Sequence, residues 1–368
     1  MMQQAPVSSS SESPVVLYYL DSGPVEGSKN YTTLICVHGH SYHSHTFKNL
    51  ISHAAALNLR IVAPNRRDYA PSTIYTSEEL SALNSNSSGL IAGHLRARGE
   101  EMVRFLAYVI RELCVPQVSD GGKAGGLALL GWSAGNMTTV AALAILSDIQ
   151  ESEDEEMRGT VEMVKSYLRT FIIYEMSYTS AGLPPPPPST GGGYHPLADT
   201  SIPVRMRGLA FGLWVSSFYS HPDPSSKNLD GLELRTPTNP VHLATNETIG
   251  PDEVLASVDP APGKRSEGAW YEESARGPLL EQLRKALRFG NADAGGVGED
   301  VSVSVIYGQS TIWSIHWAIW ELEKQLDAVK GQCRPVRIIP IPGANHFLHW
   351  EDPDLALRTF IDCIHRRT

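Results

Sequence analysis

The stretch Leu127-Ala128-Leu129-Leu130-Gly131-Trp132-Ser133-Ala134-Gly135 decides the fold. Behind a leading glycine, Gly126, four apolar residues read as a short buried strand. The run from Ala134 to about Leu146 is rich in Ala, Val and Leu and reads as a helix. Between them Gly131–Gly135 matches G-x-S-x-G, the sharp strand-to-helix turn that lifts a serine clear of a sheet. Glycine is needed on both flanks because a side chain there would collide with the neighbouring strand or helix. Ser133 is therefore the candidate nucleophile. The helix start adds a positive partial charge where an oxyanion would form. A serine N-cap in an ordinary βα turn is the plainer reading of the same residues.

Outward from this stretch the same alternation continues. Thr33–Val37 is an apolar run that meets a turn at His38-Gly39, and Val15–Leu20, stopped by Asp21-Ser22-Gly23, reads as its hairpin partner. Thr46–Leu57 has helical spacing, Arg60–Ala63 is a strand closed by Pro64-Asn65, and a long amphipathic helix is expected from about Gly93 to Leu113. Near the other end, Val301–Tyr307 and Val336–Ile341 read as strands, and Trp317–Val329 and Pro353–His365 as helices. Short buried strands alternating with longer helices predict an α/β fold, with a mostly parallel central sheet flanked by helices.

The chain divides by composition. Residues 1–13 read as a disordered lead-in, 14–175 as the first half of a core domain and 299–368 as its second half. Residues 176–298 read as an inserted, largely helical cap, carrying a stiff then flexible loop at Leu183–Gly193 (LPPPPPSTGGG). Glu151–Glu156 is acidic and reads as a solvated extension of the preceding helix or loop.

With 368 residues, 42% of them hydrophobic, the chain can bury a large core. Its formal net charge of -10 repels phosphate backbones and anionic lipid, so neither nucleic acid nor a membrane is an expected partner. No run approaches the roughly 18 to 20 apolar residues of a spanning helix. The polar start MMQQAPVSSSSESP is not a signal peptide, so a cytoplasmic protein is expected. Cys36, Cys114, Cys333 and Cys363 form no CxxC pair.

Gly343-Ala344-Asn345-His346-Phe347 follows the last strand, where a histidine can reach the serine across the carboxyl edge of the sheet. His346 is the candidate base because it sits at the tight glycine-bearing turn, and His349 is its competitor. The His38-Gly39-His40 loop supplies the other side. Backbone N–H groups of Ala134 and His40 are the candidate oxyanion hole. The four histidines of HGHSYHSH suggest a metal, but no carboxylate or cysteine stands beside them, so no metal or other cofactor is expected.

The order strand-HG, Arg67–Ser72 (RDYAPS), GWSAG and GANHF resembles the α/β-hydrolase superfamily. The second of these is similar to that family's RGYGxS loop, with Asp68 and Ala70 in place of its glycines. The resemblance implies a triad whose acid stands after the strand VSVSVIY. There the sequence has Gly308-Gln309-Ser310-Thr311-Ile312-Trp313, without a carboxylate. Glu175, at the carboxyl end of the apolar run Phe171–Tyr174, is the best substitute. Haloalkane dehalogenases and some lactone-hydrolysing members resemble this arrangement, with the acid after the sixth strand. Dehalogenases of that group use an aspartate nucleophile, so carbon–halogen and epoxide chemistry do not carry over. A strand-end glutamate paired with a cap residue is the plainer reading of Glu175.

The expected enzyme is a serine hydrolase, Ser133–His346–Glu175, cleaving a carboxylic ester or lactone with apolar bulk. Thioesterase, acyltransferase and carbon–carbon bond hydrolase use the same triad, and a non-catalytic small-ligand binder is the rival of another class. Trp132, Tyr42, Trp214 and Phe218 are candidate pocket residues, each also explicable as packing. Tyr219 and Trp270 are further cap aromatics of the same kind.

Overall fold

The computed structural model describes residues 2–8, 14–147, 154–238, 242–290 and 301–365. Among them one mixed sheet runs in the order β1-β2-β4-β3-β5-β6-β7-β8. Its strands are β1 Gln3–Pro6, β2 Val16–Asp21, β3 Thr32–Val37, β4 Leu59–Pro64, β5 Leu127–Trp132, β6 Leu168–Tyr174, β7 Ser302–Gly308 and β8 Val336–Ile341. The strands from β3 to β8 pair in parallel, and β1 and β2 join antiparallel at one side. Every residue of β3 to β6 is buried. That continuous burial is why these strands read as apolar runs rather than alternating ones.

The longer helices are α1 Lys48–Ala54, α2 Ser88–Glu112, α3 Gly135–Ser147, α4 Glu155–Tyr167, α5 Val204–Ser216, α6 Glu273–Ala286, α7 Trp313–Ala328 and α8 Pro353–His365. On one face Leu129 and Ile173 pack with Phe105 and Leu106 of α2, Val140 of α3 and Val161 of α4. On the other, Leu34, Leu130 and Ile172 pack with Leu50 of α1 and Leu357 and Phe360 of α8. Each such side chain contributes about 1.5–3 kcal/mol of burial, which fixes the sheet as a rigid platform for its carboxyl edge.

Several expectations are corrected. The lead-in is not wholly without structure, because Gln3–Pro6 forms an edge strand and Ala5 and Val7 are buried in the core. Two small apolar side chains in a polar segment suffice, since the open edge of β2 supplies the backbone partners. β2 is not the hairpin partner of β3. It pairs with β4, and β4 lies between the two. The acidic stretch at 151–156 falls partly outside the described residues, but Glu155 and Glu156 open a separate helix capped by the Asp154 carboxylate. The boundary near 298 also runs too far. α6 packs on α2 and α3, and its Leu283 and Ala286 lie in the main core, so this helix belongs to the helical layer.

Candidate active site

The Ser133 turn is closed from three sides. Ser133 has φ of +53°, a left-handed conformation that only a constrained turn imposes on a serine. A Cβ on Gly131 would lie 2.3 Å from Thr139 Oγ1, and one on Gly135 would lie 2.3 Å from the Val37 carbonyl oxygen. Both flanking glycines are thus required by contacts to α3 and β3. On the third side Gly39 touches the serine, and a Cβ there would stand 2.8 Å from Ser133 Cβ. Ser133 itself is half-buried.

His346 follows β8, and its Nδ1 is 2.7 Å from Glu175 Oε2. Facing a carboxylate, Nδ1 carries the proton, which leaves Nε2 with a free lone pair. Glu175 is fully buried just past β6, at φ of +54°. The Gly308 N–H donates to its Oε1 and the Thr311 hydroxyl to its Oε2, each at 2.5 Å. The loop after β7, which carries no acid of its own, thus supplies donors to the acid that β6 presents. Three donors converge on one buried carboxylate and fix its orientation.

The competitor is excluded as a base. His349 is wholly buried, bonded to Thr46 Oγ1 at 3.0 Å and near the Tyr174 hydroxyl. Burial and the neighbouring His346 push its pKa well below the usual histidine range, so it stays neutral and structural.

The loop after β3 is ordered by its histidines. His38 Nε2 accepts the Arg66 N–H at 2.9 Å, so its Nδ1 carries the proton and donates to the Gly39 carbonyl at 3.0 Å. Burial and the adjacent Arg66 hold His38 neutral. His40 Nδ1 lies 2.9 Å from Glu267 Oε2, a residue that sequence reasoning missed. Arg66 Nη2 donates to the other oxygen of Glu267 at 2.9 Å and to the Gly39 carbonyl at 3.0 Å. Burial opposes ionisation of Glu267, but Arg66 and His40 outweigh it and bring the carboxyl down to about 2. Among the described residues, neither the His40 N–H nor the Ala134 N–H has a protein acceptor.

Asp68, which breaks the RGYGxS pattern, has φ of +74°, in the left-handed region that favours glycine. Its carboxylate takes Arg265 Nε at 2.8 Å and Ser266 Oγ at 2.6 Å. Asp68 is thus a docking point for the segment between β6 and β7.

The candidate pocket residues divide. Tyr42 is buried beside the loop after β3, its hydroxyl taking a 2.7 Å bond from Asn246 Nδ2, and burial raises its pKa to about 12. Trp132 is corrected from wall to support. It is 1% exposed, it donates its Nε1–H to the His346 carbonyl at 3.0 Å, and its ring packs on His346 and His349. Trp214 is buried and bonded to the Leu234 carbonyl, with its ring against His195 and Phe211. Phe218 packs on the His242 ring, and no contact joins it to Ser133, His346 or His40 among the described residues. Tyr219 bonds the Trp214 and Arg235 carbonyls, and Trp270 packs on His94, so both are packing residues. Asn345, beside His346, donates to the Ser216 carbonyl and to Thr245 Oγ1, both at 2.8 Å.

No group of three or more His, Cys, Asp or Glu side chains among the described residues is arranged to hold a metal ion. Nor is any helix among them long and apolar enough to cross a membrane.

No protein-family model and no curated protein matches the sequence. Solved structures match at full length. One is 2-hydroxy-6-oxo-6-phenylhexa-2,4-dienoate hydrolase from Rhodococcus sp. strain RHA1, with a TM-score of 0.56, 12% identity, and 100% of this chain and 99% of that one covered. A mutant epoxide hydrolase of Vigna radiata matches with a TM-score of 0.54 and 13% identity, covering 99% and 98% of the two chains. A bromoperoxidase from Bacillus anthracis matches with a TM-score of 0.53 and 12% identity, covering 98% and 100%. Sheet order, the serine turn after β5 and these likenesses together define the class: the chain has the α/β-hydrolase fold.

Proposed function

We propose that the protein is a serine hydrolase that cleaves a carboxylic ester or lactone with apolar bulk. The observation that carries this reading is the 2.7 Å contact between His346 Nδ1 and the buried Glu175, on the same sheet edge as the strained Ser133 turn. His346 Nε2 takes the Ser133 proton as Oγ attacks the carbonyl carbon. The oxyanion forms against the Ala134 and His40 N–H groups, which have no protein acceptor of their own. His346 then returns the proton to the leaving alcohol, leaving an acyl group on Ser133. A water deprotonated by His346 releases the acid. Glu175 holds the imidazole in the required tautomer and stabilises the imidazolium, without itself taking the proton.

The cap of this reading is the segment after β6. Its aromatic residues Phe211, Trp214 and Tyr271, which cluster with His195, support a substrate with apolar bulk. The test is turnover of a panel of chromogenic esters, thioesters and lactones, with a fluorophosphonate probe on the same samples. Wild type is expected to hydrolyse at least one oxygen ester or lactone and to label at Ser133. Ser133→Ala is expected to lose at least about 10³-fold in kcat and all labelling. Labelling that survives Ser133→Ala, or turnover confined to thioesters, would overturn the proposal.

A further inference from the structure

We infer that Glu267 is a positioning residue that sets the oxyanion loop through the His40 ring. The inference rests on the reading of Ser133 and the His40 N–H given above, and the contacts that motivate it are independent of that reading. Glu267 lies in the segment between β6 and β7, whereas the loop it grips follows β3. Its two oxygens are divided between His40 Nδ1 and Arg66 Nη2, both at 2.9 Å. The same Arg66 nitrogen holds the Gly39 carbonyl at 3.0 Å. The peptide between Gly39 and His40, which bears the His40 N–H, is therefore held at its carbonyl by Arg66 and past its N–H by the His40 ring. Both grips converge on one carboxylate. Gly39 meets Ser133 directly, so a shift of this peptide moves a donor relative to the reacting carbon.

Two further contacts make the grip a clasp. Arg265 and Ser266 bind Asp68, two residues after Arg66. The segment Arg265-Ser266-Glu267 thus docks on the Arg66–Asp68 loop with alternating charges, Arg265 to Asp68 and Glu267 to Arg66. His40, Arg66, Asp68 and Glu267 are all at least nine-tenths buried. In that setting the ion pairs are weakly screened and directional, and a carboxylate removed from the centre leaves Arg66 without its acidic partner. Surface docking of a lid would not require this burial, nor would it use the residue whose amide faces the site. The consequence is that placement of the segment between β6 and β7 and formation of the oxyanion donor pair are one event.

The experiment compares wild type, Glu267→Gln, His40→Ala and the double variant. It uses the best ester of the panel, an aryl trifluoromethyl ketone as a tetrahedral-adduct inhibitor, and amide exchange of the peptide spanning residues 38–42. His40→Ala keeps the backbone N–H and removes only the ring. Glu267→Gln is expected to lower kcat by about 10- to 100-fold with KM within about threefold, as for a displaced oxyanion donor. Ketone inhibition should weaken by the same factor, because the adduct uses the same donors. His40→Ala should match it, and the double variant should be no worse than either single one. Exchange at 38–42 should quicken in all three variants, with the β5 and β6 peptides unchanged.

An unchanged exchange rate at 38–42 overturns the clasp whether or not the protein hydrolyses anything. Additive losses in the double variant, or a rise in KM with kcat intact, would also overturn it. If wild type neither turns over nor labels while exchange behaves as expected, the proposed function fails and the clasp stands.

Discussion

Two histidine–glutamate pairs flank Ser133, and they are built in opposite ways. His346 and Glu175 both rise from the ends of sheet strands, and their carboxylate is satisfied by a backbone N–H and a hydroxyl, both neutral donors. His40 and Glu267 join a loop to a segment outside the sheet, and their carboxylate is satisfied by a guanidinium. In the first pair no cation among the described contacts competes with the imidazole for the carboxylate, as the proposed proton transfer would require. In the second, much of the carboxylate's charge is already spent on Arg66. A histidine whose glutamate is shared with an arginine is held in orientation by it. The two pairs teach that a His–carboxylate contact is not by itself a catalytic dyad. What else binds the carboxylate decides what the histidine can do.

The strongest way to break this comparison is Glu175→Gln. It is expected to lower kcat by about 10³- to 10⁴-fold, because the amide favours the wrong imidazole tautomer. Steady-state kinetics on the ester that wild type turns over best would check it. A loss of about 100-fold or less would place Glu175 on a footing with Glu267 and remove the distinction.

The next effect is on acid stability. The Glu267 carboxyl is held near 2 in the folded protein, below the ordinary carboxylate value. A depressed carboxyl contributes stability that is present above its unfolded pKa and is lost as pH falls through the folded one. The deficit of Glu267→Gln against wild type should therefore be full, roughly 2–4 kcal/mol, at pH 6–7. It should shrink as pH falls from about 4.5 toward 2. Denaturant melts at pH 7, 4 and 3 would measure it, and a gap independent of pH would show that Arg66 does not hold the ionised form.

The smallest effect sharpens the first pair. Thr311→Val removes one donor from Glu175 and leaves the Gly308 N–H and His346 in place. It is expected to loosen the carboxylate that orients His346 and to lower kcat by about tenfold, with KM little changed. The readout is again kcat against KM, and an unchanged kcat would mean that the hydroxyl serves packing alone.

Much of the frame was legible in the sequence. Thr33–Val37 and Gly126–Leu130 announced buried strands because both faces of those strands are covered, leaving a continuous apolar run, whereas Val336–Ile341, half-buried at the sheet's edge, was legible from its β-branched content. Ser133 was legible through its two glycines, since only a crowded turn needs both. Glu175 was singled out through the family resemblance, whose expected acid is missing from Gly308–Trp313, and the structure sets it against His346. The clasp was not. Glu267 lies 227 positions from His40 in a segment without strong periodicity, and a lone glutamate there carries no local signal. The one hint was Asp68 at a glycine position. The strand at Gln3–Pro6 escaped notice because an edge strand needs little apolar content of its own. Trp132 misled because adjacency to the serine in sequence is not exposure beside it. In a strand-to-turn step its side chain faces the opposite way, under His346.

The span between Glu175 and His346 also has a consequence during synthesis. The two residues are separated by 171 positions, and the histidine belongs to the last loop before α8. A nascent chain can complete the serine turn and β6 long before it holds a base. Any product cut short before residue 346 would carry Ser133 without His346, its proposed base. Translation must run almost to α8 before chemistry of this kind can start.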